Sequence, residues 1–298
     1  MNIRRNADAH IFFGWADTAN VHSSIAEEVK IIPNYIVNRV HFDGDEEQIR
    51  QMLDFIKPNI TNEEEEHDTV IDFNKIIPMP DSLDLNAGSV ERRAVTAYLV
   101  AVNPFTKDFG VDKFSESEFI ELANSLVKRY NLTKGDIYDD KVDPQEVERG
   151  QQYIDNIKKY NAPTWYEWRI QNWGCKWNAS CQRIGENNTI YFDTPWATPT
   201  PVLQALSERF PGLTITCHWA DEDFGVNVGE AVFENGEIAG LDYYEACSKQ
   251  AYELAAELWE LDLAAEGFVF DEEKQTYIRS SPDESSEPTS SETTPKMG

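Results

Sequence analysis

Residues 34–58 read NYIVNRVHFDGDEEQIRQMLDFIKP, and the change of period inside this stretch decides the fold. Tyr35, Val37, Arg39 and His41 alternate with Ile36, Asn38, Val40 and Phe42 as far as Gly44. Alternation in a β-branched and aromatic segment predicts a strand with two unlike faces. After Gly44 the period becomes helical. Ile49, Met52, Leu53 and Ile56 form one apolar stripe, and Asp45 stands three residues before Gln48, a capping-box spacing. Pro58 ends the helix, so the stretch is one β–α unit.

The same grammar returns near the middle of the chain. CKWNASCQRI (175–184) and NTIYFDT (188–194) read as strands joined by a Gly185–Asn188 turn. Pro199 to Phe210 reads as a helix, with Pro201 near its start and Gly212 just past its end. LTITCHWA (213–220) and FGVNVGEAVFE (224–234) are further strands, the second closed by Asn235-Gly236, a strong hairpin signal. Tyr243 to Leu263 predicts a long helix, and GFVFDEEKQTYIR (267–279) a closing hairpin. The order β-α-β-β-α-β, plus extra strands and a C-terminal helix, is the split βαβ of a ferredoxin-like α+β fold. Its antiparallel sheet is expected to carry helices on one face, the other being free or covered by the intervening segment.

That intervening segment, 58–171, is expected to be a mainly helical insertion. VIDFNKIIPMPDSL (70–83) is apolar but cut by Pro78 and Pro80, which predicts packed extended chain. Helices follow at Ser89–Val102, after the Ser115-x-x-Glu118 box, after Asp143-Pro144, and after Thr164-x-x-Glu167. The division is then 1–32 as an N-terminal extension, 33–57 with 172–240 as the ferredoxin-like core, 241–279 as helix and hairpin, and 280–298 as a Ser-, Thr-, Pro- and Glu-rich tail expected to be disordered.

Charge is the strongest compositional signal. Lys plus Arg is 26 against 54 Asp plus Glu, a net of −28 among 298 residues. Such a field repels nucleic acid and anionic membrane and attracts basic surfaces. Glu63, Glu64, Glu65 and Glu66 form one acidic run and Asp221, Glu222 and Asp223 another. Both are candidate partner-binding clusters, set against a plain reading as solvated turns. No run of eighteen apolar residues exists, and IFFGW (11–15) is too short for a signal-peptide core, so a cytoplasmic protein is expected.

Chemistry finds little support in the residues. The four cysteines lack close zinc-type pairs and read as small buried hydrophobes, with Cys175 and Cys181 on one strand face. Alternation places His218 opposite Cys217, and no phosphate loop, dinucleotide turn or nucleophile elbow occurs. No catalytic residue, metal or cofactor is therefore expected. Trp165, Trp168, Trp173, Trp177, Trp196 and Trp219 could stack bases on an open sheet, but only Arg169, Lys176 and Arg183 accompany them. Packing of the insertion onto the sheet is the favoured role for these rings.

Several ordered blocks then carry a resemblance: PNYIVNRVHFDGDEEQI (33–49), IDFNKIIPMPDSL (71–83), QNWGCKWNA (171–179), FDTPWATPTPVLQALSERFPGLTITCHWADEDFGVNVGE (192–230) and FENGE (233–237). Over about residues 33–240 the chain resembles the YubB-like family of phage and plasmid proteins with a ferredoxin-like domain. The resemblance implies that fold, carriage on a mobile element, and a hallmark block of Asn172, Trp173, Gly174, Trp177 and Asn178, read as a structural corner. It implies no catalytic residue. With the charge, it leads to the expectation of a non-enzymatic inhibitor in the cytoplasm of an infected or plasmid-bearing host. Its partner would be a nuclease-type defence complex of restriction, CRISPR or Gabija-like type. A nucleic-acid-binding module and a small-molecule enzyme or sensor are the alternatives. Trp259 and Leu261 suggest a homo-oligomer interface or core.

Overall fold

The structure, a computed structural model, describes residues 34–58, 69–138 and 141–279. Glu63 to Glu66, the N-terminal extension and the 280–298 tail lie outside the described residues.

The chain opens with β1 (Tyr35–Asp43) and α1 (Glu46–Ile56), whose first turn is capped by the Asp45 carboxylate accepting from the Gln48 N–H at 3.0 Å. There follow α2 (Phe73–Ile76), a 3-10 turn at Asp81–Leu83, α3 (Ser89–Val102), α4 (Glu116–Tyr130), a second 3-10 turn at Asp136–Tyr138, α5 (Pro144–Tyr160) and α6 (Trp165–Trp173). Then come β2 (Ser180–Ile184), β3 (Thr189–Pro195), α7 (Thr200–Arg209), β4 (Thr214–Asp221), β5 (Gly229–Glu234), β6 (Glu237–Tyr243), α8 (Lys249–Leu258), and the separate hairpin β7 (Phe268–Asp271) with β8 (Thr276–Arg279).

The main sheet is antiparallel in the order β2-β3-β1-β4-β5-β6. Its first four strands are the ferredoxin-like arrangement: β3 runs between β2 and β1, and β1 between β3 and β4, so each α-connected pair brackets a third strand. β5 and β6 extend the β4 edge. Asn235 and Gly236, both at positive φ, make the tight turn between them.

Alternation sorts the side chains. Ile36, Val40 and Phe42 of β1, Ile190 and Phe192 of β3 and Ile215 and Cys217 of β4 face a core closed by Met52 and Ile56 of α1 and Leu203 and Leu206 of α7. Asn38 interrupts this apolar face. Its amide N–H groups donate to the Phe192 carbonyl at 3.2 Å and the Thr194 hydroxyl at 2.8 Å, while its amide oxygen is buried without a partner.

Four expectations are corrected here. The segment 70–83 is not extended throughout: Asp72 caps the short α2, and Asp81–Leu83 closes a 3-10 turn. Cys175 does not sit on a strand with Cys181, because β2 begins only at Ser180; Cys175 is buried and Cys181 exposed in a bulge at φ 48°. The last long helix is only Lys249–Leu258, because Tyr243 completes β6 and Ser248 caps the helix. The second sheet face is half covered, but by α8 and not by the insertion. Ala251, Leu254, Ala255 and Leu258 pack on Val37, Ala220 and Val228. The insertion's Phe73, Trp168 and Trp173 join the first-face core instead.

Candidate functional site

Asp221 is buried at the end of β4. Its carboxylate accepts from Asn34 at 3.2 Å, the Asp223 N–H at 2.9 Å and Asn227 at 3.2 Å. It shapes a turn, while Glu222 and Asp223 are exposed. Trp259 packs against the α8 core, and its indole N–H donates to the Asp221 carbonyl at 3.1 Å; Leu261 is exposed.

The hallmark residues form a corner. Trp173 is fully buried, and its indole N–H donates to the Ile77 carbonyl at 2.9 Å. Asn172 donates to the Trp168 carbonyl at 2.8 Å. The Asn178 carbonyl accepts from the Phe73 N–H at 2.9 Å, and its amide donates to Asp72 at 2.7 Å. Gly174 sits at φ 81°, where a Cβ would meet Pro201 at 2.8 Å. The Trp177 ring lies 4.4 Å from the Lys176 ammonium, a cation–π contact. Of the remaining cluster tryptophans, Trp168 and Trp219 are buried and Trp196 is exposed.

The acidic charge does concentrate, on the C-terminal flank. From Phe210 to Glu273 there are sixteen carboxylates and one lysine, Lys249. Across β5 and β6, Glu230 faces Asp242 and Glu234 faces Glu237 in direct register. Like charges placed opposite one another on a sheet are destabilising. The outer strand β6 also leaves Leu241 and Tyr243 more than half exposed.

A second feature was not legible from spacing. Where α8 ends, the second sheet face opens into a groove of about 670 Å³. One row of cross-strand neighbours runs Arg183, Tyr191, Arg39, His218 over β2, β3, β1 and β4, and the adjacent row is Thr189, His41, Thr216. The Arg183 guanidinium lies 3.6 Å from the Tyr191 ring centre. His41 Nδ1 is 3.2 Å from the Thr189 hydroxyl. Two exposed carboxylates at the end of α8 reach over: Glu257 pairs with Arg39, and Glu260 with Arg183 at 2.6 Å. The only sequence trace of this groove is the alternation that places Arg39 and His41 on the face opposite Val40. Arg183 and His218 join them through register.

Burial holds the His218 imidazole below the ordinary histidine range, with the Arg39 guanidinium adding to the effect. The Glu230 carboxylate, 3.3 Å away, pulls in the opposite direction and is outweighed. Below about pH 6.5 the unfolded chain therefore takes up this proton more readily than the folded one. The stability that follows is complete above that pH and is lost as the pH falls. Between about pH 7.5 and 5.5 the urea midpoint of the wild type should drop more than that of His218→Gln, and parallel pH profiles would contradict this account of the ring.

Cys247 is exposed like Cys181, and only Cys175 and Cys217 are buried, where a thiol is a poor nucleophile. Burial pushes Cys175 up to about 12 and raises Cys217 as well. Among the described residues no group of three or more His, Cys, Asp or Glu is placed to hold a metal, and no helix is long and apolar enough to cross a membrane.

Comparison with known proteins places this geometry. Residues 173–262 match the family model described as the ferredoxin-like domain in Api92-like protein, a stretch running from Trp173 through β2–β6 and α8. A crystal structure of the protein api92 from Yersinia pseudotuberculosis is similar at 10% sequence identity and a TM-score of 0.33, covering 72% of this chain and 99% of that one. At that score the likeness carries no argument. No curated protein matches. The YubB-like naming is not confirmed; what the match supports is a ferredoxin-like domain as in Api92-like proteins, whose matched residues 173–262 supply every strand of the main sheet except β1.

Proposed function

We propose that the chain is a non-catalytic binding protein that docks a basic, DNA-handling surface through its acidic C-terminal flank, and that its partner is a host nuclease-type defence complex. The observation that carries this reading is the acid-on-acid register of β5 and β6, Glu230 with Asp242 and Glu234 with Glu237. Charge kept for solubility alone has no need to be stacked where it opposes the fold. Charge kept for a basic partner does, because that partner relieves the repulsion on binding. Glu222 and Asp223 at the β4–β5 turn extend the same field. Leu241 and Tyr243, exposed on the opposite face of the same edge strand, border it with apolar surface. In mechanism, the carboxylates occupy the surface that would otherwise grip DNA phosphates.

The test is a cleavage assay with a purified restriction, CRISPR or Gabija-type nuclease complex. The chain should suppress DNA cleavage at low salt. Because the Debye length shortens from about 10 Å at 0.1 M to about 3 Å at 1 M, suppression should weaken several-fold as salt rises. Cleavage untouched at every ratio of chain to complex would remove the proposal.

A further inference from the structure

Independently of the acidic flank, we infer that the groove on the second sheet face is a binding site for a small phosphate-bearing ligand, held by Arg39, Arg183, His41 and His218 over Tyr191.

Four observations lead there. First, the chain is strongly acidic, yet the groove gathers two arginines and two histidines within two adjacent rows of the sheet. Neighbouring strands are about 5 Å apart, so Arg39 and His218 address one point together, and guanidinium forks match phosphate oxygens in geometry. Second, His218 and His41 both line the groove, one on either side of the two-row boundary, with the His218 Nε2 edge on Glu230. Third, the Arg183 guanidinium lies over the Tyr191 ring, a cation–π contact that holds its fork at the groove. Fourth, the groove's volume of about 670 Å³ suits a small molecule.

The arginines are not idle in this state. Glu257 and Glu260 hold them, but these carboxylates are 61% and 71% exposed on the groove rim. Exposed pairs of this kind contribute little, so an incoming dianion can displace them. They occupy the sites that ligand oxygens would take.

The net charge selects the size of the ligand. A polyanion meets the repulsion of the whole molecule at every phosphate, whereas one phosphate group brings only about two charges. The two guanidiniums can match these once Glu257 and Glu260 are displaced, with Glu186 as the carboxylate left on the groove wall. The groove is therefore assigned to a monophosphate and not to a nucleic-acid strand.

The experiment follows the histidine ring signals by NMR during titration with inorganic phosphate, AMP and a decathymidylate. Saturable shifts of His41 and His218 with phosphate or AMP are expected. AMP binding more tightly than phosphate would assign the source to a nucleotide, and equal affinities to the phosphate group alone. Arg183→Gln, at an exposed position, should weaken binding about tenfold, the loss of one charge-assisted contact. Glu257→Gln with Glu260→Gln should tighten it several-fold, a gain that misfolding cannot produce. No saturable shift up to about 10 mM of either small probe, an affinity too weak to matter, would overturn the inference. So would a decathymidylate that binds better than AMP, or an unchanged affinity in the Glu257/Glu260 variant. Both flank and groove readings can fail separately, since the cleavage assay does not involve the probes.

Discussion

Trp173→Ala is expected to destabilise the protein by about 3–5 kcal/mol, the range for deleting a fully buried aromatic ring. Trp173 is the last residue of α6, and its ring stands edge-on to Phe73 at 5.8 Å and to Trp168 at 6.0 Å. Phe73 in turn stands edge-on to Phe192 of β3 at 5.9 Å. A continuous aromatic chain thus ties α6 and α2 to the sheet. Removing its middle member leaves a cavity and also strips the Ile77 carbonyl of its indole donor. Trp173→Phe separates the two terms. It retains most of the ring, so the lost hydrogen bond should dominate at about 1–2 kcal/mol. Urea unfolding of both variants checks the ordering. An alanine variant within about 1 kcal/mol of wild type would show that the corner does not hold the insertion to the sheet.

Gly150→Ala should also be strongly destabilising, against the trend of helix propensity. Gly150 lies inside α5, where alanine would ordinarily be favoured by about 1 kcal/mol. Here a Cβ would stand 2.2 Å from the Ala94 carbonyl oxygen and 2.6 Å from the Tyr98 Cβ, both on α3. Backbone cannot step aside as a flexible side chain can, so α3 and α5 must separate. Overpacking of this kind costs about 1–3 kcal/mol or more, and the steric term outweighs propensity. Thermal unfolding should show a Tm lowered by several degrees, more so for Gly150→Val. A Tm equal to or above wild type would mean that the two helices are not in this close contact.

Much of the fold could be read from residues alone because its signals are local. The alternation of β1, the caps at Asp45, Ser115, Asp143 and Thr164, and the Asn235-Gly236 turn each act over a few residues. The failures have physical causes of longer range. β2 is cut short because Asn178 turns its side chain to cap the Phe73 N–H, a partner more than a hundred residues away. The strand read from Phe224 starts only at Gly229, because Asp221 organises a turn with Asp223 and Asn227. Gln182 accepts from both the Val70 and Ile71 N–H groups, at 2.6 and 2.7 Å, which fixes where the insertion joins the sheet edge. No spacing rule announces such a contact.

The site divides in the same way. The acidic character of 221–223 is visible in the sequence, but not that Asp221 is buried while its two neighbours are exposed. The acid pairs Glu230–Asp242 and Glu234–Glu237 become evident only with the register of β5 and β6. The groove required even more, since Arg39 meets Arg183 and His218 through strands separated by the whole insertion.

The most direct test of the flank as a docking surface is phage plating on hosts that carry restriction, CRISPR or Gabija-type defence. Cells expressing the chain would be compared with cells expressing a variant in which Glu222, Glu237 and Asp242 are made glutamine or asparagine. Because these changes relieve repulsion between like charges, the variant should fold at least as well as wild type. The expected result is that the wild type restores plating on at least one defended host and that the neutralised variant, folded and equally abundant, does not. Plating that stays low on every defended host, or that recovers equally with both proteins, would contradict the account.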